Sequence, residues 1–431
     1  MCIRDSVKVE NLPVEYRRKI ANKLKFQVPY ARYLPQYKLG RWDGNISFFG
    51  IGGTGYVNHL DIIVNTLVDA GVEIAEITDN RVKHDLSFDI IDENYWAGKT
   101  WPKGHPAEGE PIVLRDYQVE TINKFIDNPQ CLQEVATGAG KTLVTAALSE
   151  RVEQYGRTVV IVPNKDLVRQ TAEDYENMGL DVGVYFGDKK EMNKTHTICT
   201  WQSLNTMEKR FRDGLSEISL AEFLQGVVCV MVDEVHQAKA DVLKKLLTGP
   251  FSNVPLRWGL TGTIPKEQHE FFGIRAGLGQ VINKLSAHEL QEEGVLAECN
   301  IDIVQMQDTV DFPNYQSELT YLVTDQKRLN YISGLIDAMS QNGNTLVLVD
   351  RIKCGEKLQE LLPNATFVKG AMKSADRKDT YTEINESTNM VVIATYGVAA
   401  VGINIPRTVS YTHLRAHETK ANLVCRLLLE K

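Results

Sequence analysis

The chain has 431 residues, of which 43% are hydrophobic and 24% charged, and this composition excludes a fibrous or largely disordered protein. No stretch of about 18 consecutive apolar residues occurs, which argues against a membrane-spanning helix, and the first residues lack the apolar core of a signal peptide. The seven cysteines are scattered without a Cys-x-x-Cys pair, so a zinc cluster is not indicated. A scattered, odd number of cysteines is typical of proteins in a reducing compartment. We therefore expect a cytoplasmic protein of two or three domains that contacts no membrane, and a monomer.

Charge is distributed unevenly along the chain. The net charge of −8 argues weakly against a nucleic-acid partner, but residues 7–50 carry nine basic against three acidic residues. Aromatic residues are interleaved with these cations at Tyr16, Phe26, Tyr30, Tyr33, Tyr37, Trp42, Phe48 and Phe49. Two interpretations stay open with equal weight: a surface for phosphates and bases, or an aromatic core beneath a solvated basic face. For Trp42 we favour a buried anchor of a turn over a base-stacking platform.

Residues 7–100 are predicted to form a small α/β accessory domain. Helices are predicted over 14–26 and 59–70 and a strand over 45–49, with a glycine-rich break between the strand and the second helix. Glycine and proline then cluster up to Pro111, so we place a linker at 101–111.

Two runs of alternating apolar strands and amphipathic helices follow, which is typical of parallel sheets with helical crossovers. The first domain, 112–290, has strands predicted at 133–136, 157–162, 182–186, 196–200, 227–232 and 256–260, and helices at 141–155, 165–177, 202–212 and 239–247. The second, 291–408, has strands predicted at 300–306, 345–349, 365–368 and 390–394, and helices at 315–341, 353–361 and 374–385. The fold class is therefore α/β with two tandem parallel-sheet domains behind the accessory domain.

A glycine-rich stretch joins the first strand to the next helix at residues 136–142, ATGAGKT. Glycines there let backbone N–H groups surround phosphate oxygens, and the helix start adds positive potential. Lys141 would reach the β- and γ-phosphates of ATP, and the Thr142 hydroxyl would bind Mg²⁺. Val135 stands where the longer form of this loop has glycine, so the match is to the shorter form. The residues predicted to contact ATP here are Thr137, Gly138, Ala139, Gly140, Lys141 and Thr142.

Two carboxylates end the apolar strand 227–232. Asp233 and Glu234 would lie at the carboxyl end of a buried parallel strand, which is where such sheets bind ligands. Asp233 would hold Mg²⁺ together with Thr142, and Glu234 would take a proton from the attacking water. An Asp-Glu pair alone is commonly a helix cap, but its place in the same domain as the phosphate loop favours catalysis. Lys141, Asp233 and Glu234 are the predicted catalytic residues.

The phosphate loop and the acidic pair, which continues to His236, resemble motifs I and II of superfamily 2 helicases. Other segments resemble further motifs in the family's order: 115–118 (RDYQ) the Q motif, 162–165 (VPNK) motif Ia, 200–203 (TWQS) motif Ib, 261–263 (TGT) motif III, 346–351 motif IV and 394–404 motif V. The resemblance implies RecA-like domains. It implies ATP contacts at Arg115, Gln118, His236 and Gly402, with Gln118 on the adenine, and coupling of hydrolysis to movement at Thr261 and Thr263. It also implies contacts to nucleic-acid backbone at Asn164, Lys165, Thr200, Gln202, Ser203, Arg351, Thr395 and Tyr396.

The resemblance can be narrowed by residues 40–44 (GRWDG), 199–203 (CTWQS) and 394–398 (ATYGV), which look like the UvsW-type helicases of T-even-type phages. It covers most of residues 7–408. It implies unwinding or remodelling of branched DNA, such as forks, Holliday junctions and R-loops, in phage recombination, replication and repair, with 3′→5′ movement. A duplex-DNA translocase, an RNA helicase and a binding protein without turnover remain alternatives.

The sequence departs from the family after motif V. The family's Gln-x-x-Gly-Arg-x-x-Arg helix, whose arginines reach the γ-phosphate, does not follow. Residues 1–6 and about 409–431 instead resemble translated sequencing-adapter read-through, so we set them apart from the fold and expect the second domain to be truncated. Loss of such arginines typically lowers rates by roughly 10³–10⁵, so we expect this chain to hydrolyse ATP poorly.

Overall fold

The computed structural model describes residues 5–430 except 104, 106, 188, 193, 216–217, 239, 298, 307–309, 370–386, 400–407 and 417–422. At 240, 299–303, 305, 399, 408–416 and 423–430 the backbone alone is described. The chain divides into two compact units, Met1–Glu292 and Glu293–Lys431. Within the described part, no helix has the length and apolarity needed to cross a bilayer.

The first unit opens with short elements around a small apolar core. They are β1 (Ser6–Lys8), α1 (Val14–Lys23), β2 (Lys25–Gln27), α2 (Pro35–Lys38), β3 (Asn45–Ser47), β4 (Thr54–Tyr56) and α3 (Leu60–Asp69). Strand β1 pairs antiparallel with β4, and β2 with β3. The core of these elements contains Ile20, Leu24, Phe48, Phe49 and Ile63.

The aromatic residues of this segment divide between core and surface. Phe48 and Phe49 are buried, whereas Tyr30 and Tyr33 are more than half exposed. The Trp42 indole N–H donates to the Asn45 carbonyl at 2.8 Å. Trp42 therefore anchors the turn, as expected, but its side chain is half-buried where the favoured interpretation expected burial. Phe48 and Phe49 fit the aromatic-core interpretation of the basic stretch, and Tyr30 and Tyr33 fit the surface interpretation.

Residues 5 and 6 lie within the fold, which corrects their exclusion from it. The Asp5 carboxylate, 3% exposed, accepts a hydrogen bond from Arg257 Nη2 at 2.7 Å, and Arg257 is fully buried. A buried guanidinium requires a charge partner, and Asp5 supplies it. That residues 1–6 originate as read-through stays a prediction.

The larger part of the first unit is a sheet with helices between its strands. Its elements are α4 (Asp116–Asp127), β5 (Gln130–Val135), α5 (Lys141–Val152), β6 (Arg157–Val162), α6 (Lys165–Asn177), β7 (Val182–Phe186), β8 (Lys189–Lys190), β9 (His196–Thr200), α7 (Trp201–Arg212), α8 (Leu220–Phe223), β10 (Val227–Val232), α9 (Ala240–Thr248), β11 (Leu256–Thr261), α10 (Gln268–Leu278), β12 (Gln280–Leu285) and α11 (Ala287–Glu292). Among the described residues the strand order is β12-β5-β11-β10-β6-β9-β7-β8, and all neighbours are parallel except β7 and β8.

This order brings the predicted motifs to one edge of the sheet. Parallel strands end at the same edge, so the segments after β5, β11, β10, β6 and β9 form a row that contains the phosphate loop and motifs III, II, Ia and Ib. We call the ends of β5, β11 and β10 the phosphate end of this row, and the ends of β6, β9 and β7 its outer end.

The second unit contains a mixed sheet. Its elements are β13 (Cys299–Gln305), α12 (Tyr315–Thr324), α13 (Gln326–Ser340), β14 (Asn344–Val349), α14 (Ile352–Leu361), β15 (Ala365–Val368), β16 (Val391–Thr395), α15 (Tyr396–Ala399), β17 (Thr408–Ala416) and β18 (Leu423–Glu430). Across the residues described, the strand order is β13-β18-β17-β14-β16-β15, with β18 antiparallel to both neighbours. The α/β class with tandem sheets is as predicted.

Two predictions for the second unit need correction. The single helix predicted over 315–341 is wrong, because the chain leaves the helical conformation at Asp325 and the Asp325 carboxylate caps α13 by accepting from the Arg328 N–H at 2.9 Å. Residues 409–431 were set apart, yet β17 pairs with β14 and β18 with β13. The predicted helix 374–385 lies outside the described residues.

Candidate functional site

The phosphate loop has the backbone that its glycines allow. Gly138 and Gly140 have φ values of 87° and 77°, in the left-handed region, and Gly140 immediately precedes α5. Thr137, Gly138 and Gly140 are exposed, whereas Ala139 and Lys141 are buried. The exposed backbone of the loop is thus available to a ligand at the N-terminus of α5.

Gln118 contacts the phosphate loop directly. Its Oε1 accepts from the Arg115 backbone N–H at 3.0 Å, and its Nε2 donates to the Ala139 carbonyl at 3.0 Å. A β-carbon added at Gly140 would lie 2.6 Å from Gln118 Nε2. Gln118, predicted to contact adenine, is 5% exposed and is engaged with the protein in this structure. The Arg115 side chain reaches the Tyr117 hydroxyl, at 3.0 Å.

Lys141 and Glu234 form an ion pair although they are 93 residues apart in the chain. Lys141 Nζ donates to Glu234 Oε1 at 2.6 Å, and the two side chains are only 7% and 14% exposed. Sheet order explains the meeting, because one strand, β11, separates β5 from β10. The structure therefore brings the phosphate loop and the acidic pair into one site.

The two carboxylates of the site lie in a strained, partly buried turn. Glu234 has φ of 50°, which is costly for a residue with a side chain. Asp233 Oδ1 accepts from the Glu234 N–H at 2.9 Å. Burial raises the pKa of Asp233 to about 6; Lys141 opposes this rise and Glu234 adds to it. Glu234 Oε2 is buried and receives no hydrogen bond from any described residue.

His236 joins the acidic pair to the segment predicted to couple hydrolysis to movement. Its Nδ1 lies 2.8 Å from Thr261 Oγ1 and 3.4 Å from Glu234 Oε2. Because the Thr261 hydroxyl donates to the Thr263 carbonyl at 2.8 Å, it accepts from the Nδ1–H of His236. Burial lowers the pKa of His236, which favours the neutral ring.

At the outer end, most predicted nucleic-acid residues make structural hydrogen bonds. Asn164 Oδ1 caps α6 by accepting from the N–H groups of Asp166 and Leu167 at 3.0 and 2.9 Å. Thr200 Oγ1 caps α7 through the Ser203 N–H at 3.3 Å. Gln202 Nε2 donates to the Pro163 carbonyl at 3.2 Å, which ties motif Ib to motif Ia.

The remaining predicted nucleic-acid residues lie in the second unit. Arg351 precedes α14 and its Nε is 3.2 Å from Asp350, with both side chains about half exposed. Thr395 ends β16 and Tyr396 begins α15. Gly402, predicted to contact ATP, lies outside the described residues.

The residues present fit a divalent cation beside a triphosphate. Burial of the Asp233 carboxylate raises its pKa, so added positive charge would stabilise its ionised form. Thr142 follows Lys141 in the first turn of α5 and offers a hydroxyl. One carboxylate, a hydroxyl and phosphate oxygens are the ligands that Mg²⁺ usually takes in such sites.

Two features of the site escaped the sequence analysis. A β-carbon at Gly262 would lie 3.0 Å from Thr137 Oγ1 and 3.6 Å from Lys141 Nζ, so this glycine permits close approach of β11 to the phosphate loop. Its position between Thr261 and Thr263 was the available signal. The other is the β7–β8 hairpin, whose turn at Gly187 lies beside Lys165 of motif Ia.

The fold and the geometry of this site resemble those of phosphate-loop proteins of the superfamily 2 helicase type with RecA-like domains, as the sequence motifs predicted. Residues 111–266 match the family "Type III restriction enzyme, res subunit". Over 434 aligned residues the chain is 23% identical to the ATP-dependent DNA helicase uvsW of Enterobacteria phage T4, covering 93% of this chain and 80% of that protein. It is 25% identical over 191 residues to the DNA 3′–5′ translocase XPB2 of Sulfurisphaera tokodaii, covering 43% and 38% of the two chains.

Solved structures show the same fold. The crystal structure of T4 UvsW matches with a TM-score of 0.53 and 17% identity over 94% of this chain and 81% of that one. A DUF1998 helicase, MrfA, bound to DNA and AMPPNP, matches with a TM-score of 0.51 and 14% identity over 74% and 46% of the chains. The resemblance to superfamily 2 helicases of the UvsW type is confirmed, and the chain is related to DNA helicases and translocases.

Proposed function

We propose that the chain is an ATP-driven DNA helicase or translocase that remodels branched DNA such as forks, Holliday junctions and R-loops. The 2.6 Å contact between Lys141 and Glu234 carries the proposal, because it joins a phosphate-binding loop to a carboxylate that can act as a base. A role in phage recombination, replication and repair is supported by likeness to a phage DNA helicase along 93% of the chain.

The chain's own groups account for binding and proton transfer. Exposed N–H groups of the phosphate loop and the Lys141 ammonium would bind the triphosphate, which draws Lys141 away from Glu234. Glu234 would then orient water and take its proton, since no described residue donates to its buried Oε2. Mg²⁺, held by Thr142 and Asp233, would neutralise charge that develops on the phosphates.

A chain of contacts runs from the acidic pair to motif III within the first unit. Glu234 lies within 3.4 Å of His236, which contacts Thr261, and Thr261 holds Thr263. We propose that loss of the γ-phosphate reaches motif III through this chain of contacts. The Lys165 ammonium would hold DNA phosphates, together with N–H groups in the first turns of α6 and α7 other than those that the Asn164 and Thr200 caps occupy. Little sequence preference is expected, because such contacts carry no base information.

Lys141→Ala tests the nucleotide site. We expect it to abolish binding of a fluorescent ATP analogue and residual hydrolysis, because the ammonium is the site's principal cation. Lys209→Ala, which removes an exposed lysine from the last turn of α7, is the matched control and should bind the analogue normally. Unchanged binding and hydrolysis in Lys141→Ala would contradict the proposal and favour a binding protein without turnover.

Comparison of substrates tests the DNA assignment. We expect tighter binding and faster ATP-dependent strand displacement on forked DNA than on an RNA fork or a blunt DNA duplex. The partial match to a DNA translocase favours one rival, which would hydrolyse ATP on blunt duplex without separating strands. Preference for the RNA fork would overturn the DNA assignment.

Hydrolysis by these 431 residues is proposed to be slow. No Gln-x-x-Gly-Arg-x-x-Arg pattern follows motif V to neutralise the transition-state charge. We expect single-turnover hydrolysis, with protein in excess over labelled ATP, to take far longer than ATP binding. A normal DNA-stimulated steady-state rate would contradict this.

A further inference from the structure

The row of strand ends continues one strand past the predicted motifs. Strand β7 is the parallel neighbour of β9, so its last residue, Phe186, lies at the same edge as motifs Ia and Ib. The chain then turns at Gly187, with φ of 53°, and returns antiparallel as β8, which places Lys189 opposite Phe186 and Lys190 opposite Tyr185. Two adjacent lysines, Lys189 and Lys190, therefore lie on β8, next to the last parallel strand of the row.

Motif Ia contacts this hairpin. A β-carbon added at Gly187 would lie 3.7 Å from Lys165 Nζ, so the Lys165 ammonium lies beside the turn. One helical turn further along α6, the Arg169 guanidinium lies over the Phe186 ring, 5.3 Å from its centroid. Lys165 therefore connects the predicted DNA contacts of motif Ia with the two hairpin lysines.

The charges around the hairpin leave these lysines available. Lys165, Lys189 and Lys190 are exposed, and no ion pair joins them to an acidic side chain among the described residues, which exclude Asp188. Glu191 is turned towards β7, where its Oε2 accepts from the Val184 N–H at 3.1 Å. By contrast, Lys194 is paired with Asp181 at 2.7 Å.

We infer that Lys189 and Lys190 bind backbone phosphates of a single DNA strand that continues past motifs Ia and Ib. This inference rests on the proposed function. Three exposed lysines, Lys165 at the start of α6 and Lys189 and Lys190 on β8, offer positive charge to the repeating negative charge of a phosphodiester backbone. The contact carries no base information, so the hairpin would lengthen the binding site without adding sequence preference.

The experiment compares the salt dependence of binding to a single-stranded oligonucleotide for two double variants. Lys189→Ala/Lys190→Ala should lower the slope of log K against log salt by about 1.4, since each single-strand phosphate contact contributes about 0.7. Lys209→Ala/Arg212→Ala removes the same charge from the last turn of α7, at the opposite end of that helix from motif Ib, and should leave the slope near the wild-type value. Lys189→Arg/Lys190→Arg should retain the wild-type slope.

The outcomes separate this inference from the proposed function. If the wild-type chain binds DNA and the two alanine pairs have the same slope, the hairpin contact is wrong and the helicase proposal is untouched. If the wild-type chain does not bind DNA at all, the proposed function itself fails. Equal melting temperatures and equal affinity for the ATP analogue show that a changed slope does not come from misfolding.

Discussion

The phosphate end and the outer end of the row use the same sheet edge in opposite ways. At the phosphate end, charged side chains face one another: Lys141 pairs with Glu234, and Asp233 lies beside them with a raised pKa. At the outer end, Asn164 and Thr200 use their side-chain oxygens to cap helices, and the cations lie at the rim.

This difference between the two ends shows where the requirements of function conflict with folding stability. The phosphate end keeps a buried carboxylate oxygen, Glu234 Oε2, to which none of the residues described donates, and Glu234 also has positive φ; both are unfavourable for folding. At the outer end the Asn164 and Thr200 side-chain oxygens are satisfied by local hydrogen bonds, which leaves binding to lysines and to the remaining backbone N–H groups. Substitutions at the phosphate end should therefore change chemistry more than stability, and those at the outer end should do the reverse.

The largest effect is expected for Glu234→Gln. The amide keeps the size of the side chain but cannot take a proton, so hydrolysis should fall by about 10²–10⁴ while ATP binding persists. Labelled ATP with protein in excess provides the measurement. Glu191→Gln, the same change beside the middle of β7, should leave hydrolysis unaltered. Equal rates for Glu234→Gln and wild type would exclude Glu234 as the base.

The next largest effect is expected at acid pH, which should lower ATP hydrolysis at the phosphate end. Because Asp233 has a pKa of about 6, kcat/KM for ATP should fall about tenfold per pH unit below that value as the carboxylate is protonated. The stability change has the opposite sign: a raised carboxyl pKa means that the ionised form is disfavoured in the fold, so stability in EDTA is lost as pH rises through 6.

Asp174 provides the control for that profile. Burial raises its pKa to about 6 as well, with Glu173 contributing, but it lies on α6. Asp174→Asn should leave the pH dependence of kcat/KM unchanged. Loss of the acid limb in Asp174→Asn would show that the limb does not report Asp233.

The phosphate end was predictable from sequence because its residues are consecutive within short motifs. Strands β6, β7, β9 and β10 have the predicted bounds, since buried parallel strands are continuous apolar runs between polar turns.

The bonds of Gln118 to the phosphate loop were not predictable, because the two segments meet only through tertiary packing. The break at Asp325 was missed since the apolar periodicity of 315–341 continues across it.

The hairpin at the outer end shows the same limit. In the sequence, Gly187 with Lys189 and Lys190 is typical of an ordinary turn. No local pattern predicts that β7 will lie beside β9. Strand order, which depends on contacts between distant residues, places β7 and β8 beyond β9 at the outer end, and the Gly187 turn between them lies beside Lys165.

A smaller effect should follow from breaking the contact between His236 and motif III. Thr261→Val keeps the shape but removes the hydroxyl that bonds His236 and the Thr263 carbonyl. Net hydrogen-bond energies of about 0.5–1.5 kcal/mol predict a two- to tenfold loss of the effect of a non-hydrolysable ATP analogue on DNA affinity. Thr248→Val, which removes a hydroxyl bonded within α9, is the control and should keep the effect intact.

The smallest effect is expected for Asn164, and it separates capping from DNA binding. Asn164→Ala removes the oxygen that accepts from Asp166 and Leu167, so the free energy of unfolding should fall by about 1 kcal/mol with ATP affinity unchanged. Asn164→Asp restores a good cap but adds negative charge at the helix start. If DNA phosphates lie there, Asn164→Asp should regain stability in denaturant titrations yet bind DNA more weakly than wild type. Wild-type affinity in Asn164→Asp would confine Asn164 to its capping role and leave the outer end to bind DNA through its lysines.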